Sequence, residues 1–169
     1  LIRGPTVMQG YYRNPGATAE AISPDGWLRT GDLASLGPTG HLAIRGRKKA
    51  LIVNREGKNI YPEEVEQAIA ADPRVYDVVV IGYSERGEVG EKVGAILVPN
   101  LEAIAAGRGG HAPDWAEAEA LMRQIVAEQC RCLADYKHPR KLDIRREPLE
   151  RTSTQKVRRH IYQNQLDVQ

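Results

Sequence analysis

The chain has 169 residues, of which 41% are hydrophobic and 27% charged, and its formal net charge is +2. This length suits one ordinary domain, or one domain with a piece of another. The small net charge gives no general case for a nucleic-acid or membrane partner, and no apolar run reaches the roughly eighteen residues that span a bilayer. Because the start has no Met and no signal-peptide pattern, we expect a cytoplasmic protein that is a fragment of a longer one.

The first 46 residues are β-rich in character. Glycine-rich turns join a short opening strand to two further short strands, at about 27–30 and 41–45. From residue 47 onward, strands alternate with helices, so the sequence predicts an α/β (α+β) fold: a small mixed sheet flanked by helices and preceded by the β-rich piece. The elements predicted there are a strand at 51–54, a helix at 62–71, buried strands at 75–83 and 92–99, a loop at 103–114, a helix at 115–136, a strand at 141–145 and a final helix or helical turn at 155–166.

Charge is unevenly distributed along the chain. Residues 137–160 contain nine Lys or Arg and three acidic residues, which fits either an anionic ligand or a solvated basic surface. Cys130 and Cys132 point to different sides of the predicted helix, so neither a disulfide nor a zinc pair is expected, and a reducing compartment fits best. The four histidines lack metal-ligand spacing, and we predict no metal site.

Four stretches in register carry a family resemblance. They are DGWLRTGDL (25–33), IRGRKKALIV (44–53), GKNIYPEEVE (57–66), and YKHPRKLDI (136–144) together with LERTSTQKVRR (149–159). In this order and at these intervals they resemble the C-terminal part of the adenylate-forming superfamily, most closely bacterial AMP-forming fatty-acid or other acyl-CoA ligases. The resemblance implies that residues 1–46 are the end of a truncated N-terminal adenylation domain, and residues 47–169 the mobile C-terminal domain.

The resemblance also implies a nucleotide site and a hinge. Asp32 in TGD matches the aspartate that binds the ribose hydroxyls of ATP, a task suited to a carboxylate because it only accepts hydrogen bonds. Arg47 in GRKK matches an arginine that approaches the same ribose. Lys49, two residues later, matches the hinge residue that absorbs the rotation of the C-terminal domain.

The loop at 54–59 matches the segment that moves toward the active site for thioester formation. Gly57 would allow a close approach of the backbone to the pantetheine tunnel of CoA. Lys58 and Asn59 are the other candidates in this loop, and the basic residue that meets the CoA phosphates is left open among Lys58, Arg55 and the cluster at 137–146.

Lys156 matches the late lysine of the family, which reaches into the adenylation site. Thr152 agrees with the usual Pro-x-Thr-x-x-Gly pattern before that lysine, whereas Glu150 replaces the proline and Gln155 replaces the glycine. A lysine ammonium there would stabilise the charge that develops when a carboxylate attacks the α-phosphate. The arginines that follow Lys156 are interpreted as charge on a helix surface.

The implied function is ATP-dependent activation of a small carboxylic acid, such as a fatty acid, followed by thioester formation with CoA. ATP, Mg²⁺ and CoA would be substrates or cofactors of the full-length enzyme, the partner would be its own N-terminal domain, and the isolated fragment would be inactive. One alternative is an adenylating enzyme that loads a carrier protein instead of CoA. A second is a non-enzymatic module that binds anions or nucleic acid through residues 137–160.

Overall fold

The computed structural model describes residues 1–167 and divides the chain into two compact units, Leu1–Lys49 and Ala50–Gln169. The division follows Lys49, whereas the sequence placed a domain boundary after residue 46. Strand β2 continues through that earlier position to Arg47, which pairs with Asp32 on the neighbouring strand. Backbone pairing therefore keeps Arg47 with the first unit.

The first unit contains one short helix and one β-hairpin. Asn14 caps the helix by accepting a hydrogen bond from the backbone N–H of Ala17, and Pro15 occupies its first turn. The strand predicted at 27–30 is wrong: Leu28 forms only isolated bridges, and the regular strand begins after Gly31, whose φ is +73°. The elements of this unit are α1 (Pro15–Ala21), β1 (Asp32–Leu36) and β2 (Leu42–Arg47).

The second unit is built on a three-stranded mixed sheet in the order β5-β6-β7. The strand pair β5–β6 is antiparallel, and β6–β7 is parallel. Helices lie on both faces, which confirms the predicted fold class. The elements of this unit are β3 (Ile52–Val53), β4 (Asn59–Ile60), α2 (Pro62–Ala70), β5 (Val75–Tyr83), β6 (Lys92–Pro99), α3 (Leu101–Ala106), α4 (Trp115–Gln129), β7 (Lys141–Ile144) and α5 (Arg159–Tyr162).

Alternating side chains of β5 and β6 divide the core between the two faces of the sheet. Val80 and Leu97 pack on the face covered by α2 and α4, where Ile69 and Ile125 are fully buried. On the opposite face of the sheet, buried residues before, within and after α5 pack against β5 and β6. The members of this second cluster are Val79, Ile81, Tyr83, Ile96, Val98, Leu149, Tyr162 and Leu166. Both strands are therefore buried on both faces, which explains their nearly continuous apolar sequence.

The long helix α4 begins where the sequence predicted and ends earlier. Asp114 and Glu117 form a capping box at its start. The predicted end at residue 136 is wrong, because Leu133 and Ala134 adopt extended backbone and only short 3₁₀ turns follow Gln129. Cys130 is buried at this junction and Cys132 is exposed, and both are free thiols.

One further expectation is corrected, and one alternative is decided. Part of the predicted loop at 103–114 belongs to α3, which Asn100 caps by accepting from the N–H of Ala103. Of the helix or helical turn predicted at 155–166, the helical turn forms as α5, while residues 155–158 belong to a tight hairpin with residues 150–154. Among residues 1–167 no helix is long and apolar enough to cross a membrane.

Candidate functional site

Asp32 and Arg47 lie together at the end of the β1–β2 hairpin. Their Cα atoms are partners in the ladder, and Arg47 Nε lies 2.9 Å from Asp32 Oδ1. Arg47 also donates from Nη1 to the carbonyl of Thr30 at 2.8 Å, while the N–H of Asp32 donates to the Thr30 hydroxyl. The Arg47 side chain is 57% exposed and that of Asp32 is 24% exposed. The pair thus offers a carboxylate with remaining acceptor capacity beside an accessible guanidinium.

Lys49 lies in a single 3₁₀ turn, Lys48–Ala50, at the junction of the two units. Its side chain is exposed. The N–H of Lys48 donates to the carbonyl of Gly31 at 2.8 Å, so the last hydrogen bond of this connection to the hairpin precedes Lys49. A short turn of this kind can change its dihedral angles without disturbing a core.

The loop at 54–59 is a tight turn between β3 and β4. Asn54 organises it: its side-chain oxygen accepts from the N–H groups of Glu56 and Lys58, and its carbonyl accepts from the N–H of Gly57. Gly57 has φ +73°, and a Cβ there would meet no other atom within 4 Å. Its glycine is therefore required by the turn itself, since the left-handed backbone disfavours any side chain.

Lys58 and Asn59 point to different surroundings. Lys58 forms an ion pair with Glu56 and lies 4.8 Å from the centre of the Tyr136 ring, a cation–π contact. The Glu56 carboxylate raises the pKa of Lys58 above its ordinary value. Asn59 is the first residue of β4, where it pairs with Val53 and is exposed.

A groove of about 540 Å³ opens beside the 54–59 loop. Its charged lining residues are Arg55, Lys92, Arg140, Glu56, Glu85, Glu88, Glu91 and Asp135. Acidic groups outnumber basic ones, and Lys92 is already ion-paired to Glu85 and Glu88. The groove therefore has no excess of positive charge with which to bind a phosphate group.

Lys156 lies in a closed turn that precedes α5. The N–H of Thr152 donates to the Lys156 carbonyl at 2.8 Å, and the N–H of Lys156 donates to the Thr152 hydroxyl at 3.2 Å. The turn is completed one residue further out, where Arg158 N–H donates to the Glu150 carbonyl at 2.8 Å. Within the described residues, the exposed Lys156 ammonium has neither a hydrogen bond nor an ion pair. Hydrogen bonds therefore fix the backbone of Lys156, while its ammonium group is unpaired in the described structure.

Gln155 occupies the position at which the family pattern has glycine, and its backbone has φ +62°. This is the left-handed conformation that glycine adopts readily and other residues adopt at a cost. The N–H of Gln155 donates to the Thr152 carbonyl at 2.9 Å. Gln155 therefore holds a glycine-like turn conformation in front of Lys156.

Two arginines flank the Lys156 turn, and both bind acidic residues of the sheet or of α2. Arg151 contacts Asp77 on β5. Arg159 donates to the carbonyl of Val80 and forms ion pairs with Glu66 Oε1 at 2.9 Å and Glu63 at 3.6 Å.

Arg159 is therefore not helix-surface charge, and the sequence-based interpretation of it is wrong. Its side chain is largely covered, whereas Arg158 is exposed as expected. Glu66 also accepts from the N–H of Val80 at 2.7 Å, so the pair binds both backbone groups of one β5 residue. Burial raises the pKa of Glu66, and Arg159 opposes that shift. Since Glu66 and Arg159 are far apart in sequence, no local pattern predicts their contact.

The basic cluster at 137–160 is largely compensated in the folded chain. Five of its nine cations bind acidic side chains, namely Lys137, Arg140, Arg145, Arg151 and Arg159. Four of the acids come from outside the cluster's own sequence neighbourhood: Glu63, Glu64, Glu66 and Asp77. Acidic groups from elsewhere in the chain therefore neutralise a large part of the positive balance counted along the sequence, and the alternative of an anion-binding module draws little support from it.

The predicted site residues fall into two groups. Asp32 and Arg47 belong to the first unit, and Gly57, Lys58, Asn59 and Lys156 belong to the second, with Lys49 at the junction. No hydrogen bond or ion pair of the second unit joins Lys156 to the 54–59 loop, as far as residues 50–167 are described. Residues 1–167 also contain no group of three or more His, Cys, Asp or Glu side chains that could hold a metal ion.

Comparison with known proteins places these motifs in a family. No family model matches the chain. It is 35% identical over 136 residues to a chloroplastic acyl-activating enzyme of Arabidopsis thaliana, and this match covers 74% of the chain and 18% of the relative. It is 40% identical over 104 residues to a long-chain-fatty-acid–CoA ligase of Mycobacterium tuberculosis, covering 62% of the chain and 16% of the relative. It is also 36% identical to a long-chain-fatty-acid–[acyl-carrier-protein] ligase of Arabidopsis thaliana, covering 60% of the chain and 15% of the relative.

Solved structures agree with the sequence relatives. The o-succinylbenzoate CoA synthetase of Bacillus subtilis, solved with ATP and magnesium, superposes with a TM-score of 0.68 at 31% identity, covering 94% of this chain and 28% of that one. The chain spans less than a fifth of the length of these curated relatives. With four motifs, the mixed sheet and these matches in agreement, the chain belongs to the adenylate-forming superfamily and corresponds to the C-terminal part of its members.

Proposed function

We propose that the chain is the C-terminal part of an AMP-forming acid–CoA ligase. In the first half-reaction a carboxylate attacks the α-phosphorus of ATP, with Mg²⁺ bound to ATP, and gives acyl-adenylate and pyrophosphate. In the second, the thiol of CoA attacks the acyl carbon, and AMP leaves as the thioester forms. The acid, such as a fatty acid, and most of ATP would bind to the N-terminal adenylation domain, which is the partner of this chain.

The observation that carries the proposal is the presentation of Lys156. A hydrogen-bonded turn fixes its backbone, while its ammonium is exposed and unpaired in the described structure. Attack of a carboxylate on a phosphate brings two anions together, and a cation between them stabilises the transition state more than the separated reactants. One such contact is worth about 3–4 kcal/mol, or two to three orders of magnitude in rate.

Asp32 and Arg47 would bind the ribose of ATP. The Asp32 carboxylate can accept from both ribose hydroxyls while it keeps its ion pair to Arg47, because each carboxylate oxygen has two acceptor sites. The pair lies on a hydrogen-bonded strand ladder, which limits the entropy lost on binding.

Lys49 would be the hinge between the unit Leu1–Lys49, as the end of the adenylation domain, and the unit Ala50–Gln169, as the mobile domain. After adenylation the mobile domain would rotate about Lys49, withdraw Lys156 and bring the 54–59 loop to the CoA tunnel. The support for this role is the short exposed turn at the junction of the two units. Gly57, Lys58 and Asn59 would then face CoA.

The test is ATP–pyrophosphate exchange by the full-length enzyme with a panel of carboxylic acids. We expect Lys156→Ala to slow exchange by about a hundredfold to a thousandfold. The matched control is Arg158→Ala, which removes an exposed cation two residues away and should leave exchange within about threefold of the wild-type rate. Thioester formation from supplied acyl-adenylate should be unaffected by either change. Equal exchange rates for Lys156→Ala and the wild type would refute the proposal.

A carrier protein is the second candidate for the acyl acceptor, because one of the relatives is an acyl-carrier-protein ligase. The two acceptors are distinguished in the thioester half-reaction of the full-length enzyme. Saturation by free CoA identifies a CoA ligase, whereas transfer only to the phosphopantetheine arm of a carrier protein identifies the alternative.

A further inference from the structure

Arg151 joins the Lys156 turn to the sheet through two different contacts. Its Nη1 donates to the carbonyl of Gln155 at 2.6 Å, and its Nη2 lies 2.8 Å from Asp77 Oδ1. Gln155 directly precedes Lys156. The guanidinium fork thus connects the residue before the lysine to an acidic residue on β5.

Asp77 is a fixed anchor for this fork. Its side chain is only 5% exposed, and its Oδ1 also accepts from the N–H of Val78 at 3.1 Å. A bulge between Val75 and Asp77 interrupts the β5–β6 ladder at this point, and bulges commonly redirect a side chain. The other carboxylate oxygen of Asp77 is buried without a hydrogen bond in the described structure. A buried carboxylate in such surroundings requires its cation.

The Gln155 contact acts on the most strained residue of the turn. The left-handed backbone of Gln155 costs free energy, and a charge-assisted hydrogen bond to its carbonyl offsets part of that cost. The carbonyl of Gln155 and the N–H of Lys156 belong to the same planar peptide unit. A contact that fixes the orientation of the carbonyl therefore also fixes the orientation of the Lys156 N–H. A lysine at position 151 could pair with Asp77, but it has no planar fork with which to hold both groups.

We propose that Arg151 is a positioning residue for Lys156 and that Asp77 holds Arg151 in place. This inference rests on the proposed function, because it assigns Lys156 to the adenylation step. Arg151 would not contact the substrate. It would hold the Lys156 turn against β5, so that the ammonium reaches the reacting phosphate from a rigid base.

The variant Arg151→Lys tests the fork while it preserves the positive charge that Asp77 needs. The chain offers a matched control in Arg74→Lys. Arg74 is 39% exposed and paired with Asp72, which is 7% exposed, while Arg151 is 36% exposed and paired with Asp77. Arg74 lies before β5 and has no contact with the Lys156 turn in the described structure.

Two measurements separate positioning from general stability. In this chain, amide hydrogen exchange at Gln155 and Lys156 should accelerate about tenfold or more in Arg151→Lys and remain unchanged in Arg74→Lys. In the full-length enzyme, Arg151→Lys should slow ATP–pyrophosphate exchange by about tenfold to a hundredfold, since a small displacement of a reacting group has effects of this size. Thioester formation from supplied acyl-adenylate should stay at the wild-type rate, which a general loss of folding would not allow.

The outcomes distinguish this inference from the proposed function. If Lys156→Ala slows exchange by about a hundredfold or more while Arg151→Lys equals Arg74→Lys in both measurements, the positioning role is wrong and the function stands. If the wild-type enzyme catalyses no exchange with any acid, the proposed function fails, and faster amide exchange in Arg151→Lys then supports only a structural clamp. If Arg151→Lys slows both half-reactions equally, a positioning role is refuted.

Discussion

Replacing Gln155 with glycine should stabilise the chain. A left-handed backbone costs a residue with a side chain about 1–2 kcal/mol, and φ of Gln155 is +62°. Glycine avoids this cost, although its greater freedom in the unfolded chain takes back about 0.5–1 kcal/mol. Both backbone hydrogen bonds of Gln155 are independent of its side chain, which is exposed. The expected net gain for Gln155→Gly is therefore about 0.5–1 kcal/mol in the free energy of unfolding.

The assay is urea unfolding followed by the fluorescence of Trp115. Because Trp27 lies in the other unit, it is replaced with phenylalanine in every variant, so that the signal reports the unit that carries Gln155. The gain corresponds to a rise in the midpoint of about 0.3–0.5 M urea with an unchanged slope. The control is Gln155→Ala, which removes the long side chain but retains Cβ and should change the midpoint little. A destabilised Gly variant, or an Ala variant that gains as much as Gly, would refute the assignment of strain.

Two further predictions concern titration and thiol reactivity. The Arg74 side chain holds the pKa of Asp72 below its ordinary value of 3.8, so this pair stabilises the chain above that pH and its contribution is lost as the pH falls through the lowered native pKa. Asp72→Asn should thus lower the free energy of unfolding at pH 7 and flatten its decline below pH 4, as measured by urea titration; an unchanged decline would contradict this. Burial raises the pKa of Cys130 to about 11, so at pH 8 a thiol reagent should label only Cys132 in the native chain and both cysteines in urea; equal native rates would show that Cys130 is accessible.

The sheet of the second unit was predictable because its strands have a strong local signal. The predicted strands at 75–83 and 92–99 coincide with β5 and β6, whose β-branched residues are buried on both faces. Weaker local signals gave errors. The predicted strand at 27–30 has apolar residues but no ladder partner. The first four residues of the predicted final helix or helical turn, 155–158, belong instead to a hairpin in which the N–H of Arg158 donates to the Glu150 carbonyl.

The sequence predicts Lys156 as a site residue from the motifs on either side of it. It does not predict which residues hold the turn that carries this lysine. Asp77 and Glu66 bind the two flanking arginines from β5 and α2, far away in the chain. No spacing rule connects residues that meet only through tertiary structure. Gln155 shows a different limit: the sequence marks its departure from the family pattern, but only the structure shows that it adopts the left-handed backbone that glycine adopts readily.

The contacts of Glu66 and Arg159 with Val80 have a consequence for association between chains. β5 is an outer strand of the three-stranded sheet, and the outward N–H and C=O groups of such a strand can template the addition of a foreign strand. Glu66 accepts from the N–H of Val80, and Arg159 donates to its carbonyl, so both groups are taken in the middle of the strand. Arg159, which follows the Lys156 turn, thereby also protects this edge of the sheet against pairing with a foreign strand, and a chain cut before residue 159 would lose that protection.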